Sequence, residues 1–185
     1  MVEKRFFQFL PSNLHFFHWS FYRPKTSVFA CMHGLIRKSN LNGEWDHHYI
    51  LGYTDQQTVM LDFDTTSLKT VRYWASRAMK WFKLEGYIIL RSSLNNYHVV
   101  FNRRVSLEEN MRIVAWVALQ SNNPMLEKWF LMQCIKEGST LRVSPKLDKG
   151  SPRIVFRHGK ENGQIESFLR FRKLMKNMIR KLKAD

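Results

Sequence analysis

Residues 58–67, "TVMLDFDTTS", place two carboxylates inside a segment that otherwise has the pattern of a buried strand. Val59, Leu61 and Phe63 alternate with Met60, Asp62 and Asp64. Strand side chains alternate between faces, so Asp62 and Asp64 share one side, about 7 Å apart along the chain. Like charges at that spacing raise each other's pKa unless something positive lies between them. The sequence around this strand has to supply that positive partner.

Outward from Thr58 the pattern is regular. In "SLKTVRYWASRAMKWFKLEG" the residues Leu68, Val71, Trp74 or Ala75, Ala78 and Phe82 recur at helical spacing, and Gly86 is expected to stop the helix. "YIILR" and "YHVVFN", joined by "SSLNN", predict a β-hairpin in which Asn95 and Asn96 tolerate left-handed backbone. "SLEENMRIVAWVALQ" opens with a capping box, Ser106 and Glu109. "NPMLEKWFLMQCIKEG" has Asn123 as N-cap, Pro124 at the first helical position and Gly138 past the end. "STLRVS" and "PRIVFR" are two further strands around the turn-rich "PKLDKGS". From Gln164 to Lys183 a helix carries one stripe of Phe168, Phe171, Leu174, Met175, Met178, Ile179 and Leu182. Much of its other side is Arg172, Lys173, Lys176, Arg180 and Lys183.

From Thr58 to Ser144 the order is thus β-α-β-β-α-α-β. It predicts an α+β fold, an RRM/ferredoxin-like antiparallel sheet with helices on one face and the opposite face open for chemistry. The first fifty-odd residues, rich in aromatics and broken by Pro11, Pro24 and Gly34, have an irregular pattern. The expected organisation is residues 1–56 as an aromatic-rich segment packing on the core, 57–157 as the core, and 158–185 as a basic amphipathic helix.

Alternation populates the open face with Asp62 and Asp64 from the first strand, His98 with Val100 and Asn102 from the hairpin, and Thr140, Arg142 and Ser144 from "STLRVS". A divalent cation shared by Asp62 and Asp64 would relieve their repulsion, and hard oxygen ligands suit Mg²⁺ or Mn²⁺. Arg142 and His98 could then hold the phosphates of a nucleotide bridged to that ion. Plainer assignments compete: Asp64 capping the next helix, His98 as a hydrogen-bonded surface group, Arg142 in a structural salt bridge with either aspartate.

The chain has 185 residues, 44% hydrophobic and 14% aromatic, enough for one well-packed domain and incompatible with wholesale disorder. Thirty Lys and Arg against 15 Asp and Glu give a net charge of +15, which attracts polyanions, nucleic acid foremost. No apolar run of about 18 residues exists and no secretory signal is visible, so no membrane partner is expected. Two distant cysteines, Cys31 and Cys134, are consistent with a reducing compartment, hence a cytoplasmic location, or the host cytoplasm for a viral or plasmid gene. Cys31, His33, His47 and His48 offer soft ligands at a spacing unusual for structural zinc. The aromatic N-terminal stretch, with Arg23 and Lys25, suits either stacking of single-stranded nucleic acid or cover for a sheet edge. Arg172, Lys173, Lys176 and Arg180 suit nucleic-acid phosphates.

The ordered trio "MLDFD", "SSLNNYHVVF" and "LRVSPK", spanning about Thr58 to Phe156, resembles the archaeo-eukaryotic primase superfamily, including primase-polymerases of archaeal plasmids and viruses. The resemblance implies that residues 57–157 are a primase-like catalytic core with Asp62 and Asp64 as catalytic metal ligands. It implies contacts from Ser92 or Ser93, His98, Arg142 and Lys146 to the triphosphate of the incoming nucleotide. The implied reaction is phosphodiester formation by two-metal phosphoryl transfer on a single-stranded DNA template, from nucleoside triphosphates. A replication partner, a helicase or a primase large subunit, would accompany it. Two departures stand out: Asn95 and Asn96 replace the family's glycine-rich turn, and only Glu137, at a helix end, and Asp148, in a loop, are near the place of a third carboxylate. Two alternatives remain, a catalytically degenerate primase-like DNA-binding replication protein and a rolling-circle initiator nuclease. The nuclease would need a His-x-His pair on a strand, whereas His47 and His48 are adjacent and fall on opposite faces.

Overall fold

The structure is a computed structural model that describes residues 2–6, 14–23, 28–38, 45–145 and 150–182, with side chains for residues 52–145 and 150–177. Four strands open the chain: β1 (Val2–Phe6), β2 (Leu14–Arg23), β3 (Val28–Lys38) and β4 (Trp45–Asp55). They are followed by β5 (Thr58–Phe63), α1 (Leu68–Phe82), β6 (Gly86–Ser93), β7 (Asn96–Arg104), α2 (Leu107–Ser121), α3 (Pro124–Lys136) and β8 (Ser139–Arg142). β9 (Arg153–Gly159) and α4 (Gln164–Leu182) complete the order. The β-α-β-β-α-α-β succession expected from Thr58 onward is therefore present, and the class is α+β with antiparallel sheets.

The described part of the first fifty residues is not irregular. β1 to β4 pair in consecutive antiparallel order, with Leu14 opposite Arg37 at one end of the β2–β3 ladder and Arg23 opposite Val28 at the other. Gly34 lies within β3, in register with Phe17 and Tyr49, instead of breaking it. The aromatic-rich runs read as irregular are strand formers.

The second sheet has the order β5-β7-β6-β9, antiparallel throughout. β8 lies beside β5, where a ferredoxin-like order would put it, but its ladder is with β4, so the sheet of the N-terminal strands reads β1-β2-β3-β4-β8. The N-terminal segment and the core thus share a sheet.

Helices occupy both faces of the second sheet. Val59, Leu61, Phe63, Tyr87, Ile89, Val99 and Phe101 are buried under α1, α2 and α3 through Val71, Ala75, Ile113, Val117 and Leu126. Met60, Ile88, Leu90 and Val100 are buried on the other face against Tyr53, Leu141, Val143 and, from α4, Ile165 and Phe168. The expected open face is therefore largely covered, because α4 docks through its apolar stripe. Each such side chain contributes roughly 1.5–3 kcal/mol on burial, which is why a strand apolar on both faces takes no other position.

Local signals set the helix ends. Ser67 caps α1 by accepting from the Thr70 N–H at 3.1 Å, and Lys83, left-handed, ends it in place of Gly86. Gly86 instead faces Gly159 across the β6–β9 ladder, where a Cβ would lie 2.3 Å from the Lys160 carbonyl oxygen. Ser106 caps α2, while Glu109 turns to Arg103 at 2.5 Å and does not close the expected box. Asn123 caps α3, and the Gly138 N–H donates back to the Gln133 carbonyl.

Buried polar groups fix the corner where the sheets meet. Asp55 accepts from the Tyr53 hydroxyl (2.9 Å), the Thr58 hydroxyl (2.5 Å) and the Gln57 N–H (2.8 Å). Asn110, fully buried on α2, donates to the carbonyls of Gln56 (2.9 Å) and Thr58 (3.1 Å) and accepts from the Ser139 hydroxyl (3.1 Å). Asn110→Ala strands three partners in a dry site, so urea unfolding should show a loss of about 2–4 kcal/mol with the m-value unchanged.

Candidate functional site

The β5–β7 register sets Asp62 directly opposite His98, whose neighbour on β6 is Leu90. Asp62 Oδ1 lies 3.4 Å from His98 Nε2. The imidazole is buried and about a quarter of the Asp62 side chain remains accessible. Among the described residues, neither Asp62 Oδ1 nor His98 Nδ1, both buried, finds a hydrogen-bond partner.

Burial raises the Asp62 carboxyl from its ordinary 3.8 to about 6, with the Arg142 charge pulling the other way. Burial also lowers His98 to about 3; the cations Arg142 and Arg172 add to this and Asp64 opposes it. At neutral pH the pair is therefore a carboxylate beside a neutral imidazole, with a buried anionic oxygen that has no donor. Such an oxygen costs several kcal/mol unless a cation or a donor meets it.

Asp64 follows the last residue of β5. It does not cap α1, since Ser67 does, so that plainer assignment fails. The next residue, Thr65, has φ 53°, a left-handed conformation that is costly for a β-branched side chain. The β6–β7 turn holds it there. Asn96 Oδ1 accepts from the Thr65 N–H (2.8 Å), the Asn95 carbonyl accepts from the Thr66 N–H (2.9 Å), and Asn96 Nδ2 donates to Ser93 Oγ (2.6 Å). Glycine could adopt the turn but could not supply the Asn96 amide. The substitution that departs from the primase pattern thus ties the hairpin to the loop bearing Asp64.

Arg142, at the end of β8, makes no ion pair with Asp62. Its guanidinium donates to the carbonyls of Ser92 (3.0 Å), Gly150 (3.2 Å) and Ser144, and burial lowers its pKa while the Asp62 charge raises it. It acts on Asp62 and His98 through its field. Arg172 of α4 donates to the Pro152 carbonyl and also bears on His98. Arg172 also lines a cavity of about 280 Å³, together with Val143, Ser151, Arg153 and Lys176.

The structure thus gathers Asp62, His98 and Arg142, with Ser92 contributing its carbonyl, and anchors Asp64 beside them. Arg172 and Lys176, expected on a nucleic-acid face, line this cavity, and Lys173 and Lys176 are exposed. Ser93 is committed to Asn96. Lys146 and the side chain of Arg180 lie outside the described residues. Arg153 and Ser151 were not expected; only the docking of α4 beside the start of β9 reveals them. Among the described residues no three of His, Cys, Asp or Glu form a metal-ready cluster. Glu137 is exposed at the C-cap of α3 and Asp148 lies outside the described residues, so no third carboxylate is placed at the site. Cys31, His33, His47 and His48 pair in register with Gly52, Ile50, Ile36 and Leu35, so no two stand opposite one another; their side chains are outside the described set. No family model, curated protein or solved structure matches the chain.

The Asp62 shift has a stability consequence. The folded chain holds the Asp62 proton up to about pH 6, whereas the unfolded chain releases it near 3.8, so this group's contribution declines as pH rises through that window. In metal-free protein, Asp62→Asn should therefore be more stable than the parent by about 3 kcal/mol at pH 7, and the gain should vanish below pH 3.8. Denaturant midpoints of the two chains across that range provide the measurement.

Proposed function

We propose that the chain is a divalent-metal-dependent nucleotidyltransferase of the primase-polymerase kind, joining nucleoside triphosphates on a single-stranded nucleic-acid template. One observation carries it: a buried carboxylate oxygen without a donor, Asp62 Oδ1, faces a buried, neutral His98 on which the charges of Arg142 and Arg172 bear.

Asp62 and Asp64 are hard oxygen donors that fit Mg²⁺ or Mn²⁺, and such ions keep positions for phosphate oxygens and water. When bound, the ion supplies Lewis-acid activation of the attacking hydroxyl and offsets charge developing on the phosphoryl oxygens. The chain's own groups do the positioning. Arg172, Arg153 and Lys176 supply cations for the triphosphate, Arg172 with a forked geometry suited to phosphate. His98, neutral at pH 7, offers a hydrogen bond to a phosphate oxygen without competing for the metal's charge. The buried strand row around it excludes water, which strengthens every electrostatic contact there. A net charge of +15 favours a nucleic-acid template.

A second reading is a binding-only relative, favoured by the position of Glu137 at the exposed end of α3 and not at the site. Incubation with single-stranded template, nucleoside triphosphates and Mn²⁺ separates the two. Extended product should form, and Asp62→Ala and Asp64→Ala should each lower its rate by about a hundredfold or more. Triphosphate binding without product would favour the binding module; a covalent tyrosyl–DNA adduct would favour the nuclease. Calorimetry showing no Mn²⁺ uptake, even with triphosphate present, would remove the proposal.

A further inference from the structure

The outward side of α1 carries the least compensated charge in the described structure. Between Thr65 and Leu84 the sequence holds Lys69, Arg72, Arg77, Lys80 and Lys83 and no acidic residue. Lys69, Arg72, Tyr73, Ser76, Arg77 and Lys80 form one stripe along the helix and line a groove of about 490 Å³. Lys69 to Lys80 span about 16 Å of helix.

These cations are placed against the usual rules for a stable surface helix. Like charges three apart, at Lys69 and Arg72, Arg77 and Lys80, Lys80 and Lys83, repel. Lys69 sits in a first turn that has no acidic residue, where the helix dipole disfavours it. Elsewhere four arginines are offset: Arg103 by Glu109, Arg112 by Glu108, Arg157 by Glu161, Arg170 by Glu166. Among the described residues no carboxylate pairs with any α1 cation.

Aromatic rings accompany the stripe. Tyr73 is 53% exposed and Trp81 70% exposed. Arg77 lies over Tyr73 at 5.6 Å and donates to its hydroxyl, and Trp81 is near-parallel to Trp116 at 6.0 Å, which props its inner face and leaves the outer one to solvent. Cations tracking a backbone beside exposed rings are the combination that holds single strands, whose unpaired bases stack on any aromatic face. Duplex would use the cations and leave the rings idle.

We infer that the outer face of α1 is a binding site for single-stranded nucleic acid, with Lys69, Arg77 and Lys80 on the phosphates and Tyr73 and Trp81 under the bases. α1 packs on the sheet face opposite Asp62, so this site tethers a strand away from the metal and triphosphate groups and does not depend on their chemistry.

Fluorescence anisotropy of the full chain with a labelled thymidine oligomer of about 20 nucleotides tests it over a salt series. The triple variant Lys69→Gln, Arg77→Gln, Lys80→Gln should bind at least about tenfold more weakly and lose about 2 from the log–log salt slope, since each single-strand phosphate contact contributes about 0.7. Trp81→Ala should weaken binding about tenfold with the slope unchanged. Asp62→Ala should bind like the parent, which keeps this result separate from that for the nucleotidyltransferase. The inference is overturned if the triple variant keeps the parent's affinity and slope, or if Lys173→Gln with Lys176→Gln accounts for the whole salt dependence. It is overturned equally if the parent ignores the oligomer and binds phosphatidylserine vesicles through the same three residues.

Discussion

β5 is buried on both faces, and that constraint organises the rest of the molecule. Val59, Leu61 and Phe63 belong to the core under α1 to α3, and Met60 belongs to the one under α4. A slip of one residue would exchange the faces and carry a carboxylate into the helix-side core, at a cost of several kcal/mol. The register is therefore fixed, and with it the pairing of Asp62 with His98. A charged group is tolerated at that place only because the strand's apolar residues leave it no alternative.

The polar corner transmits this placement to the other half of the site. Asp55 and Asn110 join the end of β4, the start of β5 and the start of β8 in one hydrogen-bonded cluster. β8 then runs to Arg142, paired opposite Gly52, so the guanidinium reaches the Asp62 end of the sheet by a route anchored in a buried network. Networks of this kind specify one arrangement because a partly satisfied one is worse than none. Arg142 thus comes from one sheet and Asp62 from the other, and the corner keeps the two in step.

The central part of the fold was legible because its signals are local. Period-2 alternation placed Tyr97, Val99 and Phe101 on one face and His98 with Val100 on the other, as found. Ser106 and Asn123 announced their helices by capping chemistry. The N-terminal strands were misread because aromatic residues on consecutive positions hide the alternation, and a glycine inside a strand resembles a break. The covered second face was illegible for another reason: the apolar stripe of α4 announces that the helix docks, but which face it takes depends on tertiary packing, which no periodicity encodes. That same docking brings Arg172 to the Pro152 carbonyl at the start of β9. The partnership of Asn96 with Thr65 was equally invisible, since a side-chain amide reaching a backbone N–H thirty-one positions away leaves no trace in spacing.

The positive partner that Asp62 requires is supplied at a distance. Had Arg142 closed on Asp62, the pair would be neutral and the carboxylate would be unavailable to a metal ion. Three backbone carbonyls hold the guanidinium fork, so it lowers the cost of ionising Asp62 without occupying its oxygen. Burial, reinforced by the charges of Arg142 and Arg172, keeps His98 uncharged, which removes the other cation that could have satisfied that oxygen. A basic protein therefore holds one anionic atom in a dry place and directs its own cations elsewhere. That separation, more than the presence of either aspartate, distinguishes the arrangement around Asp62 from a buried salt bridge, and the proposed metal role rests on it.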